Sequence, residues 1–245
     1  MFGTSLPHRI QLSPNYGPRR EGAKINLVIL HYTGMSDARK ACDWLCNEES
    51  QVSSHYLINE AGDIVQMVDE ANRAWHAGVS SWQNDEDVNS ASIGIEIQNI
   101  GHSQGYPDFP KVQMEAVASL CEDLVKRYRI KPRNILAHSD VAPGRKIDPG
   151  EKFGWAYLHG RGVGHWVVPE PMRGGTFLQA GDSGDAVIAL KAMLKLYGYG
   201  IELSDHYDQR TKTVVEAFQR HFRPDVVDGV ADQSTVATLH KLLRF

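Results

Sequence analysis

Residues Lys24 to Thr33, KINLVILHYT, constrain the fold more than any other stretch of this chain. The centre of the stretch is a continuous apolar run, which is typical of a β-strand buried on both faces. Sheets covered on both faces belong to α/β proteins, in which helices pack against the strands. The stretch therefore predicts a central strand of such a sheet, with His31 at its end.

Shorter sequence patterns predict further helices and strands of such an α/β domain. Apolar positions at helical spacing predict a helix that begins near Asp37 and a longer one at Val112 to Tyr128. Two strand-like runs, His55 to Asn59 and Ile64 to Val68, flank a turn that contains glycine, which predicts a hairpin. We therefore expect an α/β domain with a mixed central β-sheet flanked by helices.

The segment Ser92 to Ile100, SIGIEIQNI, alternates strictly between apolar and other residues. This period of two predicts a strand that turns three isoleucines to one face and Glu96 to the other. In a central strand, Glu96 would be held inside the fold, which is costly for a carboxylate without a functional partner. In an edge strand it would be an ordinary solvated residue, and the pattern leaves both possibilities open.

The segment Ile135 to Gly150, ILAHSDVAPGRKIDPG, places His138, Lys146 and Asp148 in a turn-rich loop after a short apolar run. Imidazole and carboxylate groups are good zinc ligands, and His31 could supply a third one from the end of its own strand. Three such ligands would leave a fourth position for water, as in catalytic zinc sites. Spacing alone leaves open the alternative that these are ordinary core or surface residues.

The motif AWHAG at residues 74–78 places Trp75 and His76 beside a glycine. Bulky and titratable side chains next to a glycine suit the wall of a cleft. A tryptophan in a chain of this size is more often simply part of the core. The motif therefore suggests a substrate-facing position without establishing one.

The stretch Gly160 to Gly175 is rich in glycine and proline, which predicts a boundary between two domains. We expect a first domain at residues 1–170, whose first 23 residues form an extended arm. We expect a second, small three-helix domain at 171–245, since three short helical stripes follow the boundary.

Composition excludes several classes of protein. A formal net charge of −4 gives no reason to expect a nucleic-acid partner. The sequence has no run near the roughly 20 apolar residues that span a bilayer, and its first 22 residues lack the apolar core of an export signal. Three cysteines are too few for a disulfide framework, and the oligomeric state cannot be read from the sequence.

Five motifs together resemble the zinc-dependent N-acetylmuramoyl-L-alanine amidases of the type-2 amidase family, which are relatives of the peptidoglycan recognition proteins. They are, in order, VILHYTG at 28–34, SSHYLI at 53–58, AWHAG at 74–78, SIGIEIQN at 92–99 and AHSDVAPGRKIDPG at 137–150. The resemblance covers roughly residues 24–160. The tail resembles a three-helix peptidoglycan-binding module at residues 178–199, 213–222 and 227–239.

This resemblance implies a role for each matched residue. It implies one Zn²⁺ per chain held by His31, His138 and Asp148, with Glu96 as general base. Lys146 would stabilise the transition state, although it could also be only a charge partner of Asp148. The residues that it implies near the substrate are Trp75, His76, Tyr56, Asn99 and Arg145.

The resemblance also implies a reaction, which is hydrolysis of the amide between the lactyl group of N-acetylmuramic acid and L-alanine. Peptidoglycan or its muropeptides would be the partner, and we expect a periplasmic or cell-envelope location. Three alternatives are a muropeptide-binding protein without catalysis, a metallopeptidase that cleaves within the stem peptide, and a structural wall anchor. The sequence does not distinguish polymeric wall from soluble or 1,6-anhydro fragments.

Overall fold

The computed structural model describes residues 3–172 and 174–244. In these ranges the strands are Arg9–Ile10 (β1), Tyr16–Pro18 (β2), Leu27–Tyr32 (β3), Tyr56–Ile58 (β4), Ile64–Gln66 (β5), Asn72–Ala74 (β6), Ser92–Ile97 (β7) and Ile135–Ala137 (β8). The helices are Ala38–Leu45 (α1), Val88–Ala91 (α2), Lys111–Tyr128 (α3), His138–Val141 (α4), Trp155–Gly160 (α5), Asp185–Tyr197 (α6), Gln209–Phe222 (α7) and Gln233–Leu242 (α8).

Six strands form one mixed sheet in the order β1-β5-β4-β7-β3-β8, and β2 pairs with β6 separately. The predicted hairpin is the antiparallel pair β4–β5, while the other neighbours in the large sheet run parallel. The α/β prediction with a mixed central sheet is therefore confirmed. Strand β7 lies between β4 and β3, so Glu96 is on a central strand rather than an edge.

All four predicted strands are shorter than the sequence pattern suggested, those of the hairpin by two residues each. The strand expected at Lys24 to Thr33 is only Leu27–Tyr32, and the one expected at Ser92 to Ile100 ends at Ile97. Ile97 is aligned with the last residue of both neighbouring strands, Tyr32 in β3 and Ile58 in β4. The neighbouring strands end at this row, so the residues after Ile97 keep the alternating sequence pattern but are not part of the sheet.

Helices cover both faces of the sheet, as the apolar centre of β3 predicted. Val28 and Leu30 point into a core shared with the apolar faces of α3 and α5. Leu27 and Ile29 point to the opposite face, into a core that also contains residues of α6, α7 and α8. Helix α1 packs elsewhere on this second face, against Leu57 of β4.

The three helical stripes predicted in the tail correspond to α6, α7 and α8. Asp208 and Asp232 cap α7 and α8 by accepting hydrogen bonds from backbone N–H groups in the first turn. The buried side chains of these helices share one core with the sheet, so the tail packs directly on the first 170 residues. Across the described residues, no helix combines the length and apolarity required of a membrane span.

Candidate metal centre and active site

Three predicted site residues lie in one row across neighbouring strands. Parallel pairing sets His31 of β3 opposite Glu96 of β7. On the other side, Leu30 pairs with Ala137 of β8, so His138 follows at the level of His31. Because paired residues of parallel strands project to the same face, the register gathers the three side chains at the carboxyl ends of the strands.

Asp148 joins this row from the loop after α4. The backbone N–H of Ser139 donates to the Asp148 carbonyl over 3.0 Å, which closes the loop back onto the residue after His138. Asp148 Oδ2 lies 3.0 Å from His138 Nδ1 and 3.2 Å from His31 Nδ1, and the two imidazole nitrogens are 2.9 Å apart. All three side chains are buried.

Hydrogen bonds at the outer nitrogen fix the tautomer of His31 but not that of His138. His138 Nε2 lies 3.1 Å from the Ala77 carbonyl oxygen, an acceptor, and 3.3 Å from Arg145 Nη2, a donor. The Ser92 hydroxyl donates to the Val88 carbonyl over 2.6 Å, so it can only accept from His76 Nε2, 3.1 Å away. His76 Nδ1 is then an acceptor, and His31 Nε2 donates to it over 3.1 Å.

The inner Nδ1 of His31 therefore presents a lone pair toward Asp148. Burial, and next the proximity of His138, lowers the pKa of His31 to about 4, so its ring is neutral at pH 7. Burial acts to raise the pKa of Asp148, but the adjoining His138 lowers it below its ordinary value. The three inner atoms are all potential metal ligands, and a shared cation would bind them together.

The donor set suits a metal ion such as zinc. Two imidazole nitrogens and one carboxylate oxygen are common zinc ligands, and the three donor atoms lie within 4.8 Å of one another. Ligand atoms of a tetrahedral zinc site, each about 2.0–2.2 Å from the ion, lie about 3.3–3.5 Å apart, close to the separations here. Outward N–H groups bonded to fixed acceptors are also typical of ligating histidines.

Comparisons with known proteins agree with this site. The model of the N-acetylmuramoyl-L-alanine amidase family matches residues 21–151, and that of a peptidoglycan binding domain matches residues 183–239. N-acetylmuramoyl-L-alanine amidase AmiD of Escherichia coli is 37% identical over 235 residues, which cover 90% of this chain and 83% of the relative. The chain belongs to the N-acetylmuramoyl-L-alanine amidase family.

Two solved structures are similar to this chain in both sequence and fold. The complex of E. coli AmiD with anhydro-N-acetylmuramic acid-L-Ala-D-gamma-Glu-L-Lys is 34% identical to this chain, covers 92% of each chain and has a TM-score of 0.77. AmpDh3 from Pseudomonas aeruginosa is 31% identical, covers 96% of this chain and 95% of its own, and has a TM-score of 0.76. These two likenesses extend over both the sheet and the C-terminal helices.

The three candidate ligands of this amidase line a cavity of about 560 Å³. Its polar lining includes Glu96, Arg145 and Lys146 in addition to the ligands. Its apolar lining comprises the side chains of Met35, Trp44, Leu45, Val52 and Trp75. A cavity lined by both kinds of side chain suits a ligand that has both kinds of surface.

The pKa of Glu96 is shifted in the opposite direction from that of the candidate ligand Asp148. Burial raises the pKa of Glu96 well above its ordinary value, Asp148 raises it further and Lys146 lowers it. Its Oε2 atom is buried and has no hydrogen-bond partner among the described residues. A buried carboxylate with a raised pKa beside a candidate metal site is suited to accept and release a proton, as general bases do.

Three of the predicted substrate-binding residues line the cavity. Trp75 and Arg145 do so, although the Arg145 guanidinium also donates to the carbonyls of Ala77 and Val79. His76 lines the cavity too, but both of its ring nitrogens are engaged, one by His31 and one by Ser92. The geometry therefore gives His76 the position of a support behind His31.

Tyr56 and Asn99 require a correction, because the structure places both outside the cavity. Tyr56 is paired with Ile95, so it faces the side of the sheet opposite Glu96, where its hydroxyl donates to Glu70 over 2.5 Å. The Asn99 amide donates to the Pro107 carbonyl over 2.9 Å and accepts from a backbone N–H, which shapes the loop after β7. These contacts are structural.

Three residues around the site were not singled out by the sequence reasoning. Ser92 orients His76, and Trp44 and Tyr32 line the cavity. Tyr32 could have been suspected, because it directly follows His31. Ser92 and Trp44 are brought to the site by contacts between distant segments, for which the local sequence contains no signal.

Proposed function

We propose that this protein hydrolyses the amide bond between the lactyl group of N-acetylmuramic acid and the L-alanine of the stem peptide, with one zinc ion per chain. Membership of the amidase family supports the reaction. The observation that supports a zinc mechanism is the convergence of three buried ligand atoms from His31, His138 and Asp148, which lie 2.9–3.2 Å apart.

His31, His138 and Asp148 would hold the ion, and the rest of the site would handle charge and protons. Bound zinc lowers the pKa of a water molecule and so supplies a nucleophile at neutral pH. The outward bond of His31 to His76 keeps its inner nitrogen unprotonated for this purpose, and the Ala77 carbonyl is placed to accept the outer N–H of His138 when its inner nitrogen binds the ion.

Glu96 acts as the general base in this proposal. It faces the cavity beside His31, takes a proton from the attacking water and passes it to the leaving amine nitrogen. A carboxyl group with a raised pKa is suited to both steps, because it accepts the proton readily and releases it again.

Lys146 stabilises the oxygen that gains negative charge as the amide carbon is attacked. Its side chain lines the same cavity as Glu96 and Asp148. A preorganised cationic donor in a site of this kind typically contributes about 3–4 kcal/mol to transition-state stabilisation. The apolar residues that line the cavity, among them Trp75, would hold the non-reacting part of the substrate.

The substrate in this proposal is peptidoglycan or muropeptides derived from it, and the place of action is the periplasm or cell envelope. The match of residues 183–239 to a peptidoglycan binding domain supports a polymeric substrate, and the anhydro-muropeptide bound to AmiD supports small fragments. We also place the domain boundary near residue 170, because no helix or strand occurs among the described residues between α5 and α6.

The test combines metal analysis with mass spectrometry of products from purified cell wall. We expect about one zinc per chain and the release of intact stem peptides, which stops on chelation and returns with zinc. A Glu96→Gln variant should retain zinc and lose activity by about a hundred- to ten-thousand-fold. Activity that survives complete metal removal contradicts the zinc mechanism, and cleavage between stem residues would make the protein a peptidase instead.

A further inference from the structure

The loop at residues 138–148, here called the ligand loop, carries His138, Arg145, Lys146 and Asp148. Its inner side faces the cavity. Its outer side is covered by α6 and α7 and the segment between them, which lie in the part of the chain that matches a peptidoglycan binding domain. The contacts between these two parts are polar and specific, in addition to their shared apolar core.

Asp140 is the centre of these contacts. Its carboxylate is completely buried and accepts the backbone N–H of Ala137 over 2.8 Å, which caps the short helix that begins at His138. The other two partners come from the C-terminal part of the chain: the hydroxyl of Tyr199, just after α6, donates to Oδ1 over 2.7 Å, and Nδ1 of His221 in α7 donates to Oδ2 over 2.7 Å. A buried carboxylate depends on such partners, so Asp140 ties the start of the ligand loop to the tail.

The middle of the ligand loop is held in the same way. Arg210 of α7 donates to the Pro143 carbonyl over 2.8 Å and also to Gly200. Gly144, in a left-handed conformation with φ of +79°, packs so closely on Thr213 that an added Cβ would lie 3.0 Å from its methyl carbon. Lys146 and Asp148 therefore follow a turn whose outer side is fixed by α7.

The partners of Asp140 are themselves fixed by aromatic packing across the junction. The His221 ring stacks on Trp155 at the start of α5, with ring centroids 3.6 Å apart. Tyr199 packs edge-on against the buried Trp82, with centroids 5.2 Å apart. Both hydrogen-bond donors are thus held by residues of the first 170 positions, which makes the arrangement rigid.

We propose that the C-terminal helices are a positioning element of the metal centre, and that Tyr199, His221 and Arg210 are positioning residues that set the place of His138 and Lys146. This role is separate from any contact of the tail with wall polymer. It rests on the proposed zinc amidase function, since it concerns how precisely the ligand loop presents its side chains to the metal and the substrate.

The test compares Tyr199→Phe with Tyr207→Phe, two removals of a buried hydroxyl from the same region. Tyr207 is also fully buried, but its hydroxyl donates to the Gly229 carbonyl over 2.8 Å, within the tail. Zinc affinity is measured on the metal-free full chain by competition with a chromophoric chelator, and kcat and KM are measured separately on a soluble muropeptide. Urea unfolding shows whether the two variants lose similar stability.

We expect Tyr199→Phe to weaken zinc binding about tenfold, the lower end of the effect of groups that orient metal ligands, and to lower kcat with little change in KM. Tyr207→Phe should keep zinc affinity and kcat within about twofold of wild type. Arg210→Gln removes the contact with the middle of the ligand loop and should lower kcat in the same way. This variant tests the proposal if Tyr199→Phe does not fold.

Equal zinc affinity and kcat in wild type, Tyr199→Phe and Arg210→Gln would overturn this inference alone. Equal losses in Tyr199→Phe and Tyr207→Phe would overturn it too, because the effect would then follow general stability. A wild-type protein that binds no zinc overturns the proposed function, and this inference with it.

Discussion

Replacing Gly94 by alanine should disable the metal centre without touching a ligand. Gly94 lies on β7, two residues before Glu96, and faces the ring of His76. An added Cβ would lie 2.4 Å from His76 Cγ and 2.7 Å from its Nδ1, the atom that accepts from His31. The backbone cannot retreat, because β7 is paired on both sides.

The size of the effect follows from this geometry. Contacts of 2.4–2.7 Å force the His76 ring to move, and an overpacked core site typically loses about 1–3 kcal/mol of stability. A displaced ring no longer fixes the tautomer of His31, and losing such a support typically weakens metal binding about 10- to 100-fold. We therefore expect both losses in Gly94→Ala.

Urea unfolding of the metal-free protein and zinc competition measure the two losses separately. In the double variant Gly94→Ala/His76→Ala the new methyl group has room, so Gly94→Ala should add less than about 0.5 kcal/mol to the effect of His76→Ala. Gly160→Ala is the control, because apart from its chain neighbours and the backbone of its own helix no atom within the described ranges lies within 4 Å of its added Cβ.

Wild-type zinc affinity in Gly94→Ala would refute the argument that His76 supports His31. Purely additive effects of the two substitutions would refute the steric part of the reasoning. A loss of the same size in Gly160→Ala would show that any glycine replacement in this fold has the effect, and the geometry at His76 would then explain nothing.

Three further predictions concern other residues. Lys146→Ala should lower kcat about a hundred- to a thousand-fold with zinc content unchanged; a loss of zinc instead would make Lys146 only a charge partner of Asp148. Tyr56→Phe should lose about 1–3 kcal/mol of stability in urea unfolding with KM unchanged. A raised KM would instead indicate that Tyr56 contacts the substrate. Burial lowers the pKa of His55 to about 3, so its contribution to stability is complete above about pH 6.5 and is lost as the pH falls. In the metal-free protein this residue should therefore contribute a loss of up to about 1.4 kcal/mol per pH unit between pH 6 and 4, and a profile without such a loss would contradict this.

The sequence alone determined the features that depend on local pattern. Residues of one strand or helix report their own periodicity, so the buried strand that ends at His31, the long helix α3 and the three tail helices could be predicted. The chemical nature of His31, His138 and Asp148, each in or beside a turn, likewise indicated a metal site before any geometry was available.

The tertiary structure decided which side chains meet. Whether Glu96 lies inside the fold or in solvent depends on its strand being central, and the position of a strand in a sheet is set by pairing between distant segments. The same register turned Tyr56 away from the cavity and placed His76 behind His31. Tyr199 and His221 reach Asp140 across 59 and 81 residues of chain, and periodicity within a short segment contains no information about contacts at such separations.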